Sequence, residues 1–463
     1  MAQTGQTIDI AALIENRKID TFQLAVIAWA CAIMFIEGYD MQVVPFAAPA
    51  MIRAWHVNKA YFGPVFGFGL FGYMLGATIL SNLGDKFGRK KIIVSGGLLF
   101  GAFTLASAFS ATLRELLVLR FLAGIGLGAS IPSAIALAAE YAPSRARATT
   151  ISILFIGYNL GSTAGGLLAA KLIPLFGWPV VFYVGGIVPI LLSLSLIFAL
   201  PESVRFLALQ TRNQEGVAAI VRKLAPGFTF EAGAQFVLRE EHRGGVPVKN
   251  LFTDGRAFMT TLLWLAFIFS LLGHTFLTNW LPTVLSGEGM SLSHAVISGA
   301  LLQFGGAFGS VLIGWLLDKR GITIIAVAFA LSAPLIIFIG AAHITDAVLM
   351  AAVFLTGIGM LGGQVGLNAM SGTIYPTYIR STGAGWAFGV GRVGSILGPV
   401  IGGVLIGWGQ PATLLFIYAA IPFLCCAGAT YLLGCLPQAR QESHRSGQPG
   451  TSEESPVAPE LIV

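Results

Sequence analysis

Two carboxylates stand three residues apart in an otherwise apolar stretch, Phe35-Ile36-Glu37-Gly38-Tyr39-Asp40-Met41-Gln42-Val43-Val44. On a helix that spacing puts Glu37 and Asp40 on one face. An ionisable side chain inside a membrane costs at least about 2.5 kcal/mol on insertion scales, so two in one segment point to function. Paired acids in a medium of low dielectric suit a site that binds and releases protons; capping an early helix end is the structural alternative. Two cations answer them. Arg120 enters the fourth apolar segment about as far from its outer end as Asp40 lies from the outer end of the first. At about 1.5 Å per residue the two share a depth. An Asp40–Arg120 pair is therefore the expected coupling device, in which protonating Asp40 frees Arg120 for an incoming anion. Arg392 lies about 18 Å along the eleventh segment from Arg380, near the midplane, with no acid beside it in the sequence. A guanidinium matches a carboxylate with two parallel hydrogen bonds, so a substrate carboxylate is one partner for Arg392. A salt bridge to Glu37 or Asp40 across the molecule is the other.

These residues need a membrane scaffold, and the composition supplies one. Hydrophobic residues make up 56% of the chain and charged residues 10%, with 58 glycines and a mean hydropathy of +0.81. That is too little charge to solvate a soluble surface of this size, and the glycines suit helices packed closely in lipid. Apolar runs of helix length occur at 22–46, 61–81, 92–110, 115–140, 148–170, 178–200, 258–282, 294–316, 322–341, 347–371, 383–406 and 412–435. The expected fold is all-α, with twelve membrane helices. Residues 1–21 are polar and include Arg17 and Lys18, so the first span is expected to stay in the membrane, with no cleaved signal. With both termini in the cytoplasm, most of the 27 Lys and Arg fall on cytoplasmic loops, as the positive-inside rule requires. The net charge of +6 is thus a topology signal spread over short loops, and nucleic acid is not an expected partner. Cys31, Cys425, Cys426 and Cys435 sit within or at the ends of helices without metal or redox spacing. No metal, cofactor or catalytic residue is expected.

Shifting the chain by 233 residues superposes Pro49 on Pro282, Asp85 on Asp318, Gly88 on Gly321, Pro143 on Pro376, Arg147 on Arg380 and Gly161-Ser162 on Gly394-Ser395. The chain is two copies of one membrane unit. It divides into an N-terminal cytoplasmic segment (1–21), a six-helix bundle (22–200), a connector (201–257) with 14 charged residues by count, a second bundle (258–436) and a disordered cytoplasmic tail (437–463). Residues 8–14, with Ile8, Ile10, Leu13 and Ile14, have the pattern of a short surface-lying helix. The repeat places Asn159 opposite Arg392, an amide facing a cation, as an asymmetric, singly charged ligand would require. Gln303, Gln364, Asn368, His274 and Asn279 are further polar residues inside spans. Each serves equally as glue between helices, and a lone His274 is weak support for a proton path. Tyr39, Tyr158, Trp280, Phe304 and Trp386 are aromatic enough to sandwich a ring, although each alone fits a lipid- or core-facing place.

The loop Ser81-Asn82-Leu83-Gly84-Asp85-Lys86-Phe87-Gly88-Arg89-Lys90-Lys91 and its echo Gly314-Trp315-Leu316-Leu317-Asp318-Lys319-Arg320-Gly321 resemble the signature loop of the major facilitator superfamily. Parallel repeats are also the plan of those transporters. An acid at a helix end that pairs with nearby arginines makes a latch between moving parts; Asp85, Gly88, Arg89, Arg147, Asp318, Arg320 and Arg380 are its expected members. Ser81 stands where the signature has glycine, which predicts a looser helix contact in the first half.

Glu37-Gly38-Tyr39-Asp40 with Ala47-Ala48-Pro49-Ala50 is similar to the first span of the aromatic acid:proton symporters, whose usual motif is Asp-Gly-Phe/Tyr-Asp. So are Arg120-Phe121-Leu122-Ala123-Gly124-Ile125-Gly126-Leu127-Gly128, Ala139-Glu140-Tyr141-Ala142-Pro143, Asn279-Trp280-Leu281-Pro282-Thr283 and Gly385-Trp386-Ala387-Phe388-Gly389-Val390-Gly391-Arg392. The resemblance spans residues 8 to 435. It implies proton-driven import of benzoate-type acids such as 4-hydroxybenzoate, protocatechuate or gentisate across the inner membrane, with Glu37, Asp40, Arg120 and Glu140 in coupling and Arg380 and Arg392 as the later arginines. Glu37 in place of the first Asp is a departure that bears on substrate preference. Energetics favour coupling: importing a monoanion against 100 mV costs about 2.3 kcal/mol, so a passive carrier holds it roughly fortyfold lower inside. One proton cancels that penalty and two reverse it. The expected partners are a small aromatic carboxylate, protons and the bilayer, and the expected state is a monomer.

Other classes fit less well. Drug antiporters carry Gly-Pro in span 5, where this chain reads Gly161-Ser162-Thr163-Ala164-Gly165-Gly166, with Gly398-Pro399 in span 11 instead. Pro201-Glu202-Ser203-Val204-Arg205-Phe206-Leu207 resembles a sugar-porter loop, but several families share it. A ligand-sensing receptor lacks a signalling domain here, and no Ser/His pair or His-x-x-x-His stands at helix spacing for an intramembrane enzyme.

Overall fold

Two glycines separated by the repeat offset show how the copies are built. A Cβ at Gly161 would overlap the carbonyl oxygen of Phe35, and one at Gly394 would overlap that of Ile268. Gly72 against the Phe121 carbonyl and Gly305 against that of Phe354 repeat the relation. Each pair differs by the same 233 residues, so the sequence repeat is a repeat of backbone contacts. Only a missing side chain allows helices this close.

In the computed structural model, residues 7–15, 19–209, 214–225, 230, 235–237, 248–341, 345–376 and 379–436 are described. The first bundle comprises α1 (Thr21–Trp55), α2 (Phe62–Leu75), α3 (Arg89–Ser107), α4 (Leu113–Tyr141), α5 (Ser144–Phe176) and α6 (Pro179–Ala199). The second comprises α7 (Ala257–Gly287), α8 (Leu292–Arg320), α9 (Thr323–Ile339), α10 (Asp346–Ser371), α11 (Arg380–Gly407) and α12 (Ala412–Cys435). Eleven of the twelve are long and apolar enough to cross a membrane on both criteria, the second counted with the turns that flank it. The ninth has 17 residues, about 26 Å of helix, which reaches the short end of the spanning range.

Within the first bundle α1 packs on α5, α2 and α3 on α4, and α3 on α6. The second bundle repeats this, with α7 on α11, α8 and α9 on α10, and α9 on α12. The halves meet through α2 on α11 and α5 on α8, one contact being the repeat image of the other. Besides the Tyr73–Arg392 contact between α2 and α11, their named contacts lie toward one end, that of the loops at 56–61 and 288–291. There Arg53 Nη2 donates to Ser286 Oγ at 2.7 Å and Ser293 Oγ to the Ala170 carbonyl at 3.0 Å. Gly63 faces Gly403, and Phe66 meets Trp280 edge-on at 5.3 Å.

Helix α1 is nucleated by a capping box: Gln23 N–H donates to Asp20 Oδ1 at 2.8 Å while Asp20 N–H donates to Gln23 Oε1 at 3.0 Å. It runs through Pro45 and Pro49 to Trp55, so Glu37 and Asp40 are mid-helix residues and cap no early end. Helix α2 loosens into a π turn over Gly76–Leu80 and a 3-10 turn over Ser81–Leu83, whereas its counterpart α8 is helical to Arg320. A Cβ at Gly314 would meet nothing within 4 Å beyond its own helix, so the signature glycine marks no tight contact in the second half either.

The connector carries more structure than its charge implied. Helices Val204–Leu209 and Gln214–Leu224 are followed by a strand, Gln235–Val237, which pairs in parallel with Thr7–Asp9. The short helix Ile10–Glu15 continues from that first strand. It is not surface-lying, because Ile8 and Ile10 are buried against Val217, Val221, Leu224 and Phe236. The described residues are thus nearly all helical, with one two-stranded clasp among them. Arg17, Lys18 and the tail from 437 lie outside the described residues.

Candidate functional site

The close approach of α1 to α5 brings the acids of the first span into the protein interior. Gly38 lies against the Tyr158 carbonyl, and Ser162 Oγ donates to the Gly38 carbonyl at 2.8 Å. Gly124 likewise seats α4 on the Gly69 carbonyl of α2. Asp40 is fully buried and Arg120 is 5% exposed. Arg120 Nη2 meets Asp40 Oδ2 at 2.6 Å and Arg120 Nη1 meets Oδ1 at 3.3 Å, the two-pronged geometry of a strong guanidinium–carboxylate pair. Thr104 of α3 completes the triad: its hydroxyl donates to Asp40 Oδ1 at 2.7 Å and accepts from Arg120 Nη1 at 3.0 Å.

Glu37 is different. It is fully buried, and neither carboxyl oxygen has a hydrogen-bond partner among the described residues. A full charge is costly in such a place. Arg392, on α11, makes no ion pair among the described residues; its guanidinium lies over the Tyr73 ring at 4.5 Å and donates to Tyr73 Oη at 3.4 Å. A cation held only by an aromatic ring and a hydroxyl retains donors for a carboxylate.

Arg120 and Arg392 line the same cavity, between α1, α2, α4 and α5 of one half and α7 and α11 of the other. Its volume of about 120 Å³ approaches that of the roughly 150 Å³ cavities that take up a benzene ring. Tyr158, His274 and Asn279 also line it, with Asn279 Nδ2 donating to the Thr275 carbonyl at 2.7 Å. Gln42, Phe66, Thr278 and Ser395 line it too, and no sequence argument singled them out. Thr278 lies one helical turn after His274, so the turn of the helix was the available signal there; no such spacing marks Gln42. Tyr73 and Thr104 are the other neighbours that sequence reasoning missed; they are uncharged, and only their partners mark them.

Several expected residues lie elsewhere. Tyr39 is buried and donates to the Val181 carbonyl at 2.9 Å, clamped between Gly165 and Gly185. Asn159 is buried but does not line the cavity, so it does not face Arg392 across it. Gln364 accepts from Ser270 and donates to Asn368 at 3.0 Å, which makes this set helix glue. Gln303 is buried, with no partner for either amide atom among the described residues, away from the cavity lining. Phe304 is exposed beside Phe354, and Trp386 is exposed and stacked on Trp264 at 6.0 Å. Neither sandwiches anything in the cavity.

Glu140 is also displaced from the coupling site. It lies twenty residues along α4 from Arg120, about 30 Å, and pairs with Arg89 at 2.9 Å while accepting from Ser203 Oγ at 2.5 Å. It belongs with the loop charges. Arg89 also reaches Asp85 at 3.2 Å, Gly88 adopts φ +103° with Glu202 behind it, and Arg147 Nε donates to the Ala139 carbonyl at 3.2 Å. Glu15 clasps the same corner: it accepts from Ser144 N–H at 2.8 Å and Ser144 Oγ at 2.5 Å, bonds that hold its carboxyl below the usual range. In the second half Arg380 Nε donates to the Tyr375 carbonyl at 3.2 Å, Arg320 is exposed and Gly321 has φ +67°. The side chain of Asp318 lies outside the described residues.

Comparison with known proteins agrees with this architecture. Residues 30–347 match the Major Facilitator Superfamily. The chain is 38% identical over 424 residues to the gallate transporter of Pseudomonas putida, covering 91% of this chain and 94% of the relative. It is 36% identical to the 4-hydroxybenzoate transporter PcaK of the same organism, covering 90% and 94%. The solved structure of a bacterial homologue of the human lysosomal transporter Spinster, inward-facing and unoccupied, has a TM-score of 0.68 at 18% identity and covers 93% of this chain and 100% of that one; this likeness concerns the fold. The protein is a multi-pass protein of the inner membrane. The chain belongs to the Major Facilitator Superfamily, in the branch that holds these aromatic acid transporters.

Proposed function

We infer that the protein imports an aromatic carboxylate together with protons by alternating access. The observation that carries this reading is Arg392: a guanidinium without a carboxylate partner among the described residues, lining a ring-sized cavity between the halves. It takes the substrate carboxylate. The relatives' names, a gallate and a 4-hydroxybenzoate transporter, support the class of guest.

Glu37 and Asp40 carry the protons. Glu37 is a buried carboxyl whose oxygens have no hydrogen-bond partner among the described residues, where a lasting full charge is costly. Asp40 holds Arg120 in a closed pair, and its protonation releases Arg120 toward the cavity that Arg120 already lines. Contacts between the halves gather at the end expected to face outside, so this conformation is open toward the cytoplasm. The Asp85–Arg89–Glu140 cluster, paired within the first bundle in this conformation, is the first half's share of the latch at the cytoplasmic end. One chain supplies the whole cavity, so a monomer suffices.

The test is uptake into proteoliposomes of purified protein. Labelled 4-hydroxybenzoate should accumulate above its external concentration when the lumen is alkaline, with proton entry in step. Accumulation that ignores the pH gradient would rule out coupling; no saturable uptake of any benzoate would rule out the substrate class.

A further inference from the structure

The cavity contains more hydrogen-bonding capacity than a carboxylate uses. Besides its two arginines, it is lined by three side chains that each carry a polar atom with no partner among the described residues: Gln42 Oε1, Thr278 Oγ1 and His274 Nδ1. Gln42 and Thr278 are each only 5% exposed, and these atoms are shielded from solvent as well. Orphaned polar atoms are rare inside proteins and costly to keep. Three around one cavity are therefore best explained by a guest that supplies the missing partners.

Their chemistry says what kind. An amide oxygen only accepts, a neutral imidazole accepts at one ring nitrogen, and a hydroxyl does both. Gln42 Oε1 therefore calls for a donor on the guest, which His274 and Thr278 are also able to accept, and the guest's own carboxylate, an acceptor that belongs to Arg392, does not supply one. Aromatic ring hydroxyls are such donors. The geometry suits a ring held from two sides. Gln42 is on α1, while His274 and Thr278 are one turn apart on a single face of α7, the helix that is the repeat image of α1. A rotamer change at Gln42 or Thr278 presents the orphaned atom to the cavity the residue already lines.

We propose that Gln42, His274 and Thr278 form a hydroxyl-recognition subsite that makes the protein selective for benzoates carrying ring hydroxyls over benzoate itself. This rests on the import reading above and specifies its substrate. A site with a polar group waiting for a hydroxyl rejects the analogue that lacks it, because the group is then left unpaired.

The experiment is competitive uptake in proteoliposomes with benzoate, 3,4-difluorobenzoate, 3,4-dihydroxybenzoate and 3,4,5-trihydroxybenzoate. The difluoro compound has substituents at the same ring positions but cannot donate. The hydroxylated acids are expected to inhibit at concentrations about tenfold or more below those of benzoate and the difluoro acid. Gln42→Leu, His274→Phe and Thr278→Val are each expected to shrink that ratio by about tenfold, and Thr278→Ser, which keeps the hydroxyl, to restore it. Reading a ratio within one preparation separates selectivity from loss of folded protein. Equal inhibition by all four acids overturns this inference and leaves the import reading intact, as does a ratio unmoved in all three variants. Failure of every acid to bind, benzoate included, overturns both.

Discussion

Arg120 holds Asp40 by both of its terminal nitrogens, at 2.6 and 3.3 Å, and both residues are buried. Removing one partner of such a pair strands the other charge, at a cost of about 3–5 kcal/mol. Asp40→Ala is therefore expected to lower the melting temperature sharply. Asp40→Asn keeps an acceptor for Arg120 and should remain folded in the membrane, yet lose uptake by about a hundredfold or more, because the amide cannot carry the proton. Thermal unfolding of purified protein beside whole-cell uptake distinguishes the two outcomes. Wild-type uptake in Asp40→Asn would remove the residue from coupling.

Glu37 separates binding from coupling. Glu37→Gln preserves shape and removes the exchangeable proton, so substrate exchange between preloaded vesicles and medium should persist. Accumulation driven by a pH gradient should fall to the background of protein-free vesicles. If the variant still concentrates substrate in response to the gradient, Glu37 is not a proton carrier.

Arg392→Lys keeps the charge but loses the planar fork and the stacking on Tyr73. A rise in KM of about tenfold to a hundredfold is expected, with protein abundance unchanged, whereas Arg392→Ala should abolish uptake. Equal KM for Lys and Arg at this position would show that a point charge suffices and that the carboxylate is not gripped by two bonds.

Glycine contacts predict a contrast within one helix. Gly305→Ala drives a methyl group into the Phe354 carbonyl, while one at Gly314 would meet nothing within 4 Å beyond its own helix. The first substitution should destabilise by about 1–3 kcal/mol and the second should leave the melting temperature within about a degree of wild type. Both are read in a thermal-shift assay on purified protein.

The bundle architecture was legible because lipid leaves few options: apolar length marks the spans, and the offset between Pro49 and Pro282 marks the copies. Asp40 and Arg120 were legible as charges of one depth, since depth follows from counting along a helix. Which face a residue presents is harder to count. Trp386, Phe304 and Gln364 have the right types for a binding site, but a glycine-rich helix gives little amphipathic contrast to orient them, and packing turned them elsewhere. Glu140 was misplaced because the resemblance carried its role without its depth. The clasp between Thr7–Asp9 and Gln235–Val237 escaped notice because three-residue strands leave almost no periodic trace. Gln42 and Thr278 were passed over as ordinary polar residues, and only the shape of the cavity picks them out.

The seam near Gly63 and Gly403 is fastened by apolar contact and by neutral-acceptor hydrogen bonds such as Arg53 to Ser286; no ion pair crosses it among the described residues. Dissolved electrolyte screens attraction between opposite charges, a loss that contact between hydrocarbon surfaces does not suffer. The ease with which this gate parts should therefore be nearly the same in brackish and in fresh surroundings, and a cell meeting swings in external salinity would keep the carrier's rhythm without adjusting it.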